Sequence, residues 1–286
     1  MSDETATKSK MQRAREYFGS FSCERLTKRY QNKQLIRYFS SREYRTNLEE
    51  YLKEQAWEED KAGENRVYLI KDQTGAVAFY FSLKCGLLVG EPGESRLPEA
   101  EREFIHNILV ALEASDEQAL ERYRDLGIRR YGREQFQDFY KIAEHRSTAK
   151  SDAQLFGQDV RWNVDRCFSA IELAHFCRNE KYTKPADVEF PLGFGLFWEQ
   201  IVPLILEISE LVGCQYLYLF AAEDPEAAGE PQLVKYYKGV LKFYESYEDN
   251  LIIIKPRYDY NCPGLVQEIS QLRTNREDVW KEYEEM

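Results

Sequence analysis

Strand, glycine turn, long apolar helix, strand and aromatic helix follow one another between Cys167 and Phe243, and no other stretch constrains the fold as much. The stretch opens with Phe168-Ser-Ala-Ile-Glu-Leu-Ala-His-Phe-Cys177. A polar connection runs from Arg178 to Pro191, Gly193-Phe194-Gly195 follows, and an apolar helix then reaches Val212. Gln215-Tyr-Leu-Tyr-Leu-Phe220 reads as the second strand, and Leu233 to Phe243, with Tyr236 and Tyr237, as the second helix. Two strands joined by a helix in this way form a βαβ unit. The first N–H groups of its helix have no acceptor within the helix and suit a phosphate.

The chain has 286 residues, long enough for one large domain or two small ones. Its formal net charge of −11 argues against extended nucleic-acid binding, which relies on Lys and Arg at phosphates. Six cysteines are scattered without a CxxC, several inside apolar strands, where a thiol acts as a small hydrophobe. That pattern favours a reducing compartment and gives no support for a metal site. The amino terminus has no apolar signal core, and no later segment reads as long enough to span a bilayer, so a cytoplasmic location is expected.

In chain order, 1–10 reads as a disordered tail. Residues 11–91 read as helices and turns, with a helix over about 43–60, followed by the first two strands. The strands, Val67 to Ile70 and Ala76 to Leu83, are joined by Asp72-Gln-Thr-Gly75, whose Asp and Gly tolerate hairpin angles. Residues 92–162 read as a helical insertion. Within it Phe104, Ile105, Ile108, Leu109 and Leu112 form one stripe, Ser115 and Gln118 have capping-box spacing, and 145–158 reads as a loop. The aromatics of the insertion read as packing, with a lid or partner surface as the functional alternative. Residues 163–262 complete the sheet, and 263–286 reads as a charged amphipathic helix. Pro203 should bend the helix after Gly195, and Gly213 should end it.

Taken together, Phe190-Pro-Leu-Gly193-Phe-Gly195 and Leu233-Val-Lys-Tyr-Tyr-Lys-Gly-Val-Leu-Lys-Phe243 resemble two signatures of the GNAT superfamily of N-acetyltransferases. These are a Gln/Arg-x-x-Gly-x-Gly/Ala turn and a Tyr-Tyr-Glu-Lys-Leu-Gly-Phe helix end. The order of elements agrees over roughly 43–255. The sequence departs from the pattern at Phe190, where the family has a polar residue, and at Lys242, where it has glycine. The resemblance implies an α+β fold with a mixed, mostly antiparallel sheet flanked by helices, and acetyl-CoA as co-substrate with no metal. It also implies an amine acceptor attacked directly in a ternary complex.

The resemblance assigns roles residue by residue. Backbone at Phe176, Cys177 and Arg178 would pair with the pantetheine arm and polarise the thioester. Gly193 and Gly195 would let the backbone approach the pyrophosphate, and the amides of Phe194, Gly195 and Leu196 would donate to it. Against this stands a tight turn that merely needs a positive φ. Glu172 would be the general base, with a structural ion pair as the even alternative, because an isolated carboxylate among apolar strand residues is costly. His175 is a competing base whose plainer reading is a satisfied core histidine. Tyr237 would protonate the departing thiolate, with Tyr236 the neighbour open to confusion with it and packing the alternative for both. Two readings of function stand beside catalysis. One is an inactive acyl-CoA-binding or interaction module on the same fold. The other is an acetyltransferase toxin acting on aminoacyl-tRNA, which the net charge and chain length disfavour. No membrane partner is expected, and a homodimer is left open.

Overall fold

The computed structural model describes residues 9–42, 46–90, 98–155, 166–222, 232–246, 251–253 and 262–285. Two units divide the chain: 1–88, 168–246 and 253–286 form the first, and 89–167 with 247–252 the second.

The first unit opens with helix α1 (Lys10–Gly19), which Ser9 caps. The Gln12 amide donates to Ser9 Oγ at 3.2 Å, and Gln12 Oε1 accepts the Ser9 amide in return. This reciprocal cap draws Ser9 and Lys10 out of the expected tail into ordered structure; residues 1–8 lie outside the described residues. Strand β1 (Ser22–Arg25) and the short helix α2 (Asn32–Leu35) follow. Helix α3 runs from Thr46–Glu50 through a π turn at Tyr51–Gln55 into Ala56–Ala62. Strands β2 (Arg66–Lys71) and β3 (Val77–Gly90) form the expected hairpin. Asp72 Oδ1 accepts the amides of Thr74 and Ala76, and Gly75 turns with φ +85°.

After the second unit comes strand β4 (Arg166–Arg178). Helix α7 comprises Leu192–Leu196, a π turn at Phe197–Ile201 and Val202–Val212, ending on left-handed Gly213. Strand β5 (Tyr216–Phe220), helix α8 (Gln232–Gly239), strands β6 (Tyr244–Glu245), β7 (Leu251–Ile253) and β8 (Gly264–Glu268), and helix α9 (Ile269–Glu285) complete the chain. The sheet order is β1-β2-β3-β4-β5-β8-β6. Among the described residues β4 pairs with β5 in parallel, whereas the β1–β2, β2–β3, β5–β8 and β6–β8 pairs are antiparallel. This is the mixed, helix-flanked sheet expected from the sequence.

Alternation along the strands sorts side chains onto two faces. Ile70, Phe79, Phe81, Leu83, Leu217 and Leu219 join a core with α1, α7 and α9. Val67, Leu69, Val77 and Tyr80 join a second core with α2 and α3. Burying each large apolar side chain stabilises by about 1.5–3 kcal/mol relative to exposure.

Helix α7 is the centre of the first core; Phe194, Leu196, Phe197, Trp198 and Ile201 are fully buried. The expected bend at Pro203 takes the form of the π turn just before it. Proline has no N–H to give and crowds the carbonyl four residues back, so the ladder widens there. Contrary to the sequence expectation, α7 is by length and composition apolar enough to cross a bilayer, over the 21 residues Leu192–Val212. Half of its apolar window is packed inside the protein. Its Glu199 accepts from Trp280 Nε1 at 2.8 Å and pairs with Arg15 at 3.2 Å and with Arg276.

Gly195 is a glycine because α1 comes so close: a Cβ there would lie 2.2 Å from the Phe18 ring. Both residues are buried. Gly195→Ala is therefore expected to destabilise the protein by about 2–3 kcal/mol through overpacking. Urea unfolding checks this, and Phe18→Leu added to Gly195→Ala should recover part of the loss. Additive losses would show that the two residues do not compete for the same space.

In the second unit, α4 (Glu99–Glu113), α5 (Glu117–Tyr131) and α6 (Arg133–Leu155) pack on one another. Phe104 meets Tyr131 and Phe139 at ring-centroid distances of 5.3 and 6.3 Å. The cap of α5 is Asp116, accepting from Ala119 at 3.0 Å, rather than the expected Ser115. The loop expected over 145–158 is helical as far as Leu155, since that stretch contains no glycine or proline before Gly157 to break it.

Candidate functional site

A fork in the sheet is the first element of the site. Parallel pairing of β4 with β5 covers Ala170, Ile171 and Glu172 opposite Tyr216, Leu217 and Tyr218. Strand β4 runs on to Arg178 and β5 to Phe220 without further pairing to each other among the described residues. The strands part after Glu172, the last residue of β4 in register with β5.

Strand β4 also changes phase within the fork. Ile171 and Leu173 belong to the α7 core, and so does Phe176, whose ring packs 4.5 Å from Phe79 and 6.1 Å from Phe197. Cys177 is buried in the opposite core, and His175 stacks there on Tyr51 at 3.8 Å. Leu173 and Phe176 cannot share a face of a regular strand, so the chain accommodates one extra residue near Ala174, as a β-bulge does. Regular alternation would place His175 with Ile171 and Leu173; this slip puts it on the other face.

Beyond the slip lies a cavity of about 290 Å³. Phe176, Cys177, Arg178, Gly193 and Tyr237 line it, and so do Arg42, Phe79, Gln232, Leu233 and Tyr236. Five of the nine residues assigned to the site from sequence thus meet at one place, drawn from β4, α7 and α8. Apolar rings form part of the wall, and cationic groups another part. Arg42 Nε donates to Glu180 at 3.3 Å. Arg178 Nη2 approaches the Tyr182 carbonyl at 3.5 Å, while its Nε is buried without a hydrogen-bond partner among the described residues. An arginine nitrogen so placed suits an anionic ligand. Arg42 and Gln232 carry no motif and reach the site only through folding, so sequence reading could not have found them.

The glycine turn departs from its expected geometry. Helix α7 starts at Leu192, and the Gly195 amide donates to the Pro191 carbonyl at 3.1 Å. The amide of Phe197 likewise reaches the Gly193 and Phe194 carbonyls. Helix geometry therefore leaves the amides of Leu192 and Gly193 without an intrahelical acceptor, so the helix start lies two residues earlier than expected. Phe194, Gly195 and Leu196 sit in the core instead of lining the cavity. The Phe194 ring stacks against Phe190 at 6.1 Å and meets Trp280 edge-on at 4.9 Å. Phe190 and Trp280 also touch, at 5.1 Å, which explains the aromatic residue at a position where the family carries a polar one. Gly193 opens to the cavity, and the Tyr236 hydroxyl lies 3.0 Å from the place a Cβ on it would take.

Tyr237 is buried, with its ring 6.4 Å from Phe176 and 6.2 Å from Phe243. Helix α8 ends at Gly239, and Lys242 follows in left-handed backbone at φ +61°. A glycine takes that conformation freely, whereas lysine there costs about 1–2 kcal/mol. Lys242 also reaches Glu282 at 2.6 Å.

Glu172 does not line the cavity. It is 7 % exposed, sits at the closed end of the fork, and accepts from the Tyr218 hydroxyl at 3.2 Å. His175 has its Nδ1 2.6 Å from Ser82 Oγ and its ring on Tyr51. Burial lowers its titration from 6.5 to about 4. This is the satisfied core histidine of the plainer reading. Because the folded state disfavours its protonation, its contribution to stability is present above about pH 6.5 and is lost as pH falls toward 4. Urea unfolding at pH 7 and pH 4.5 should show about 2–3 kcal/mol less of that contribution at the lower pH, measured as the difference between the parent and His175→Phe. A difference that stays constant with pH would contradict it.

No family model and no curated protein matches the sequence. Among solved structures, a tyrosine-to-phenylalanine mutant of KacT is similar at 12% identity and TM-score 0.45, over 89% of this chain and 98% of that one. AtaTR bound with acetyl-CoA is similar at 12% identity and TM-score 0.43, over 89% of this chain and 97% of that one. AtaT complexed with acetyl-methionyl-tRNAfMet is similar at 13% identity and TM-score 0.41, over 89% and 98% of the two chains. With scores below 0.5, function has to be read from this chain's own residues.

Proposed function

We propose that the chain is an acetyl-CoA-dependent N-acetyltransferase that moves an acetyl group to a primary amine by direct attack in a ternary complex. The observation that carries the reading is the parting of β4 from β5 next to a cavity where Phe176–Arg178, Gly193 and the two tyrosines of α8 meet. Beyond Glu172, where β4 no longer pairs with β5, the strand can receive a pantetheine arm as an added strand. The start of α7, Arg42 and Arg178 can hold its diphosphate, each helix-end interaction adding only about 0.3–1 kcal/mol. Phe79, Phe176 and Leu233 offer apolar walls to the arm itself.

In the reaction the amine nitrogen attacks the thioester carbonyl carbon, and its proton passes to Glu172 directly or through water. Main-chain amides near Phe176–Arg178 hold the developing oxyanion. The C–S bond then breaks, and the thiolate takes the proton of Tyr237. Tyr236, over Gly193, is the alternative donor.

Thiol release from acetyl-CoA with a panel of amines tests this. The panel should include polyamines, peptide amino termini and a charged tRNA. The net charge of −11 predicts that tRNA is the poorest acceptor of the three. Binding of acetyl-CoA with no release above background for any acceptor would favour the inactive module instead.

A further inference from the structure

We propose that Tyr218 is a positioning residue for Glu172, and that position 86 is a glycine so that this tyrosine can lie across the sheet. The proposal rests on the reading of Glu172 as the proton acceptor and identifies what orients it.

Glu172 and Tyr218 are direct neighbours, the last pair before β4 and β5 part. Both are buried, at 7 % and 4 % exposure, and the phenol donates to Glu172 Oε2 at 3.2 Å. The ring then continues over β4 to β3, where a Cβ on Gly86 would fall 2.3 Å from the hydroxyl oxygen and from Cε1. Any side chain at 86 would push the hydroxyl from its place. Tyr218 thus spans three strands and brings its one polar atom to the carboxylate at the closed end of the fork. A hydroxyl donated to a carboxylate favours the charged form, which is the form that can accept a proton from an amine. A bond to one oxygen also fixes the carboxyl plane.

Other ionisable groups on this face of the sheet include His175 and Cys177 of β4, Tyr80 and Lys84 of β3, and Tyr51 and Glu59 of α3. Tyr218→Phe leaves all of them in place and removes one oxygen atom.

The experiment uses the full chain with the Tyr218→Phe and Gly86→Ala variants. Glu172 is titrated by carboxyl carbon NMR, its signal assigned by its loss in Glu172→Gln, and the pH profile of acetyl transfer is recorded beside it. In Tyr218→Phe the carboxyl signal and the acid limb of kcat/KM should both move up by about one pH unit. Acetyl-CoA affinity should stay within about twofold, and Gly86→Ala should give the same shift. An unmoved carboxyl titration in Tyr218→Phe would overturn the proposal. A titration that moves while the acid limb does not would overturn both the positioning role and Glu172 as the base. The NMR titration needs no activity, so absence of acetyl-CoA binding would count against the proposed function alone.

Discussion

Glu172→Gln is expected to lower the rate of acetyl transfer by about 10²–10⁴-fold while leaving acetyl-CoA affinity unchanged, the range for removing a positioned general base. The glutamine keeps the shape of the side chain and can still accept from the Tyr218 hydroxyl, which reaches the carboxylate at 3.2 Å. What it cannot do is take a proton near neutral pH. Affinity should hold because Glu172 stands at the closed end of the fork, outside the cavity lined by Phe176, Arg178, Gly193 and the tyrosines of α8. Single-turnover rates with saturating acetyl-CoA, paired with the binding constant, separate these effects. A loss of binding equal to the loss of rate would make Glu172 structural. An unchanged rate would move the proton elsewhere.

Asp60→Ala is expected to cost about 3 kcal/mol of stability with no change in acetyl-CoA affinity of the folded protein. Its side chain is fully buried where α3 meets β1 and β2. The carboxylate accepts from Arg25 Nε at 3.0 and 3.1 Å, from the Thr27 amide at 3.0 Å and from the Val67 amide at 3.3 Å. Arg25 is 39% exposed in its side chain and can turn to water. The Val67 amide cannot, since that residue is fully buried. Most of the loss therefore comes from orphaned backbone donors, and Asp60→Asn, which keeps one acceptor oxygen, should recover part of it. Urea unfolding of the three proteins checks the order. Equal stability of parent and Asp60→Ala would show that these bonds add nothing beyond what water supplies.

The parts of the fold legible in the sequence were those whose signal is local. The hairpin was announced by Asp72 and Gly75, α7 by its apolar run between Gly195 and Gly213, and β5 by Tyr216 to Phe220. Strands β1 and β8 were missed for a shared reason. Ser22-Cys-Glu-Arg25 is a short, polar edge strand, and Gly264-Leu-Val-Gln-Glu268 has an apolar pair too brief for periodicity to detect. Both are specified by the neighbours they pair with, which no local window contains. The slip near Ala174 was hidden in the same way, because alternation read along a strand assumes no extra residue. Gly193 and Tyr237, which carry a pattern in the sequence, both line the cavity. The candidate site was misread at Gly195, whose missing Cβ serves the Phe18 ring and not a ligand. Arg42 joins the cavity from 136 residues upstream of Arg178, a juxtaposition that only the folded sheet creates.

Calorimetric titration with acetyl-CoA tests the central claim most directly, namely that the gap between β4 and β5 receives a thioester arm. Saturable one-to-one binding is the expected result. It should weaken at least about tenfold in Gly193→Val, whose branched side chain would project beside Tyr236 into the cavity, and in Arg178→Ala. No heat of binding at high micromolar acetyl-CoA, from protein whose fold is verified by its unfolding curve, would contradict the account.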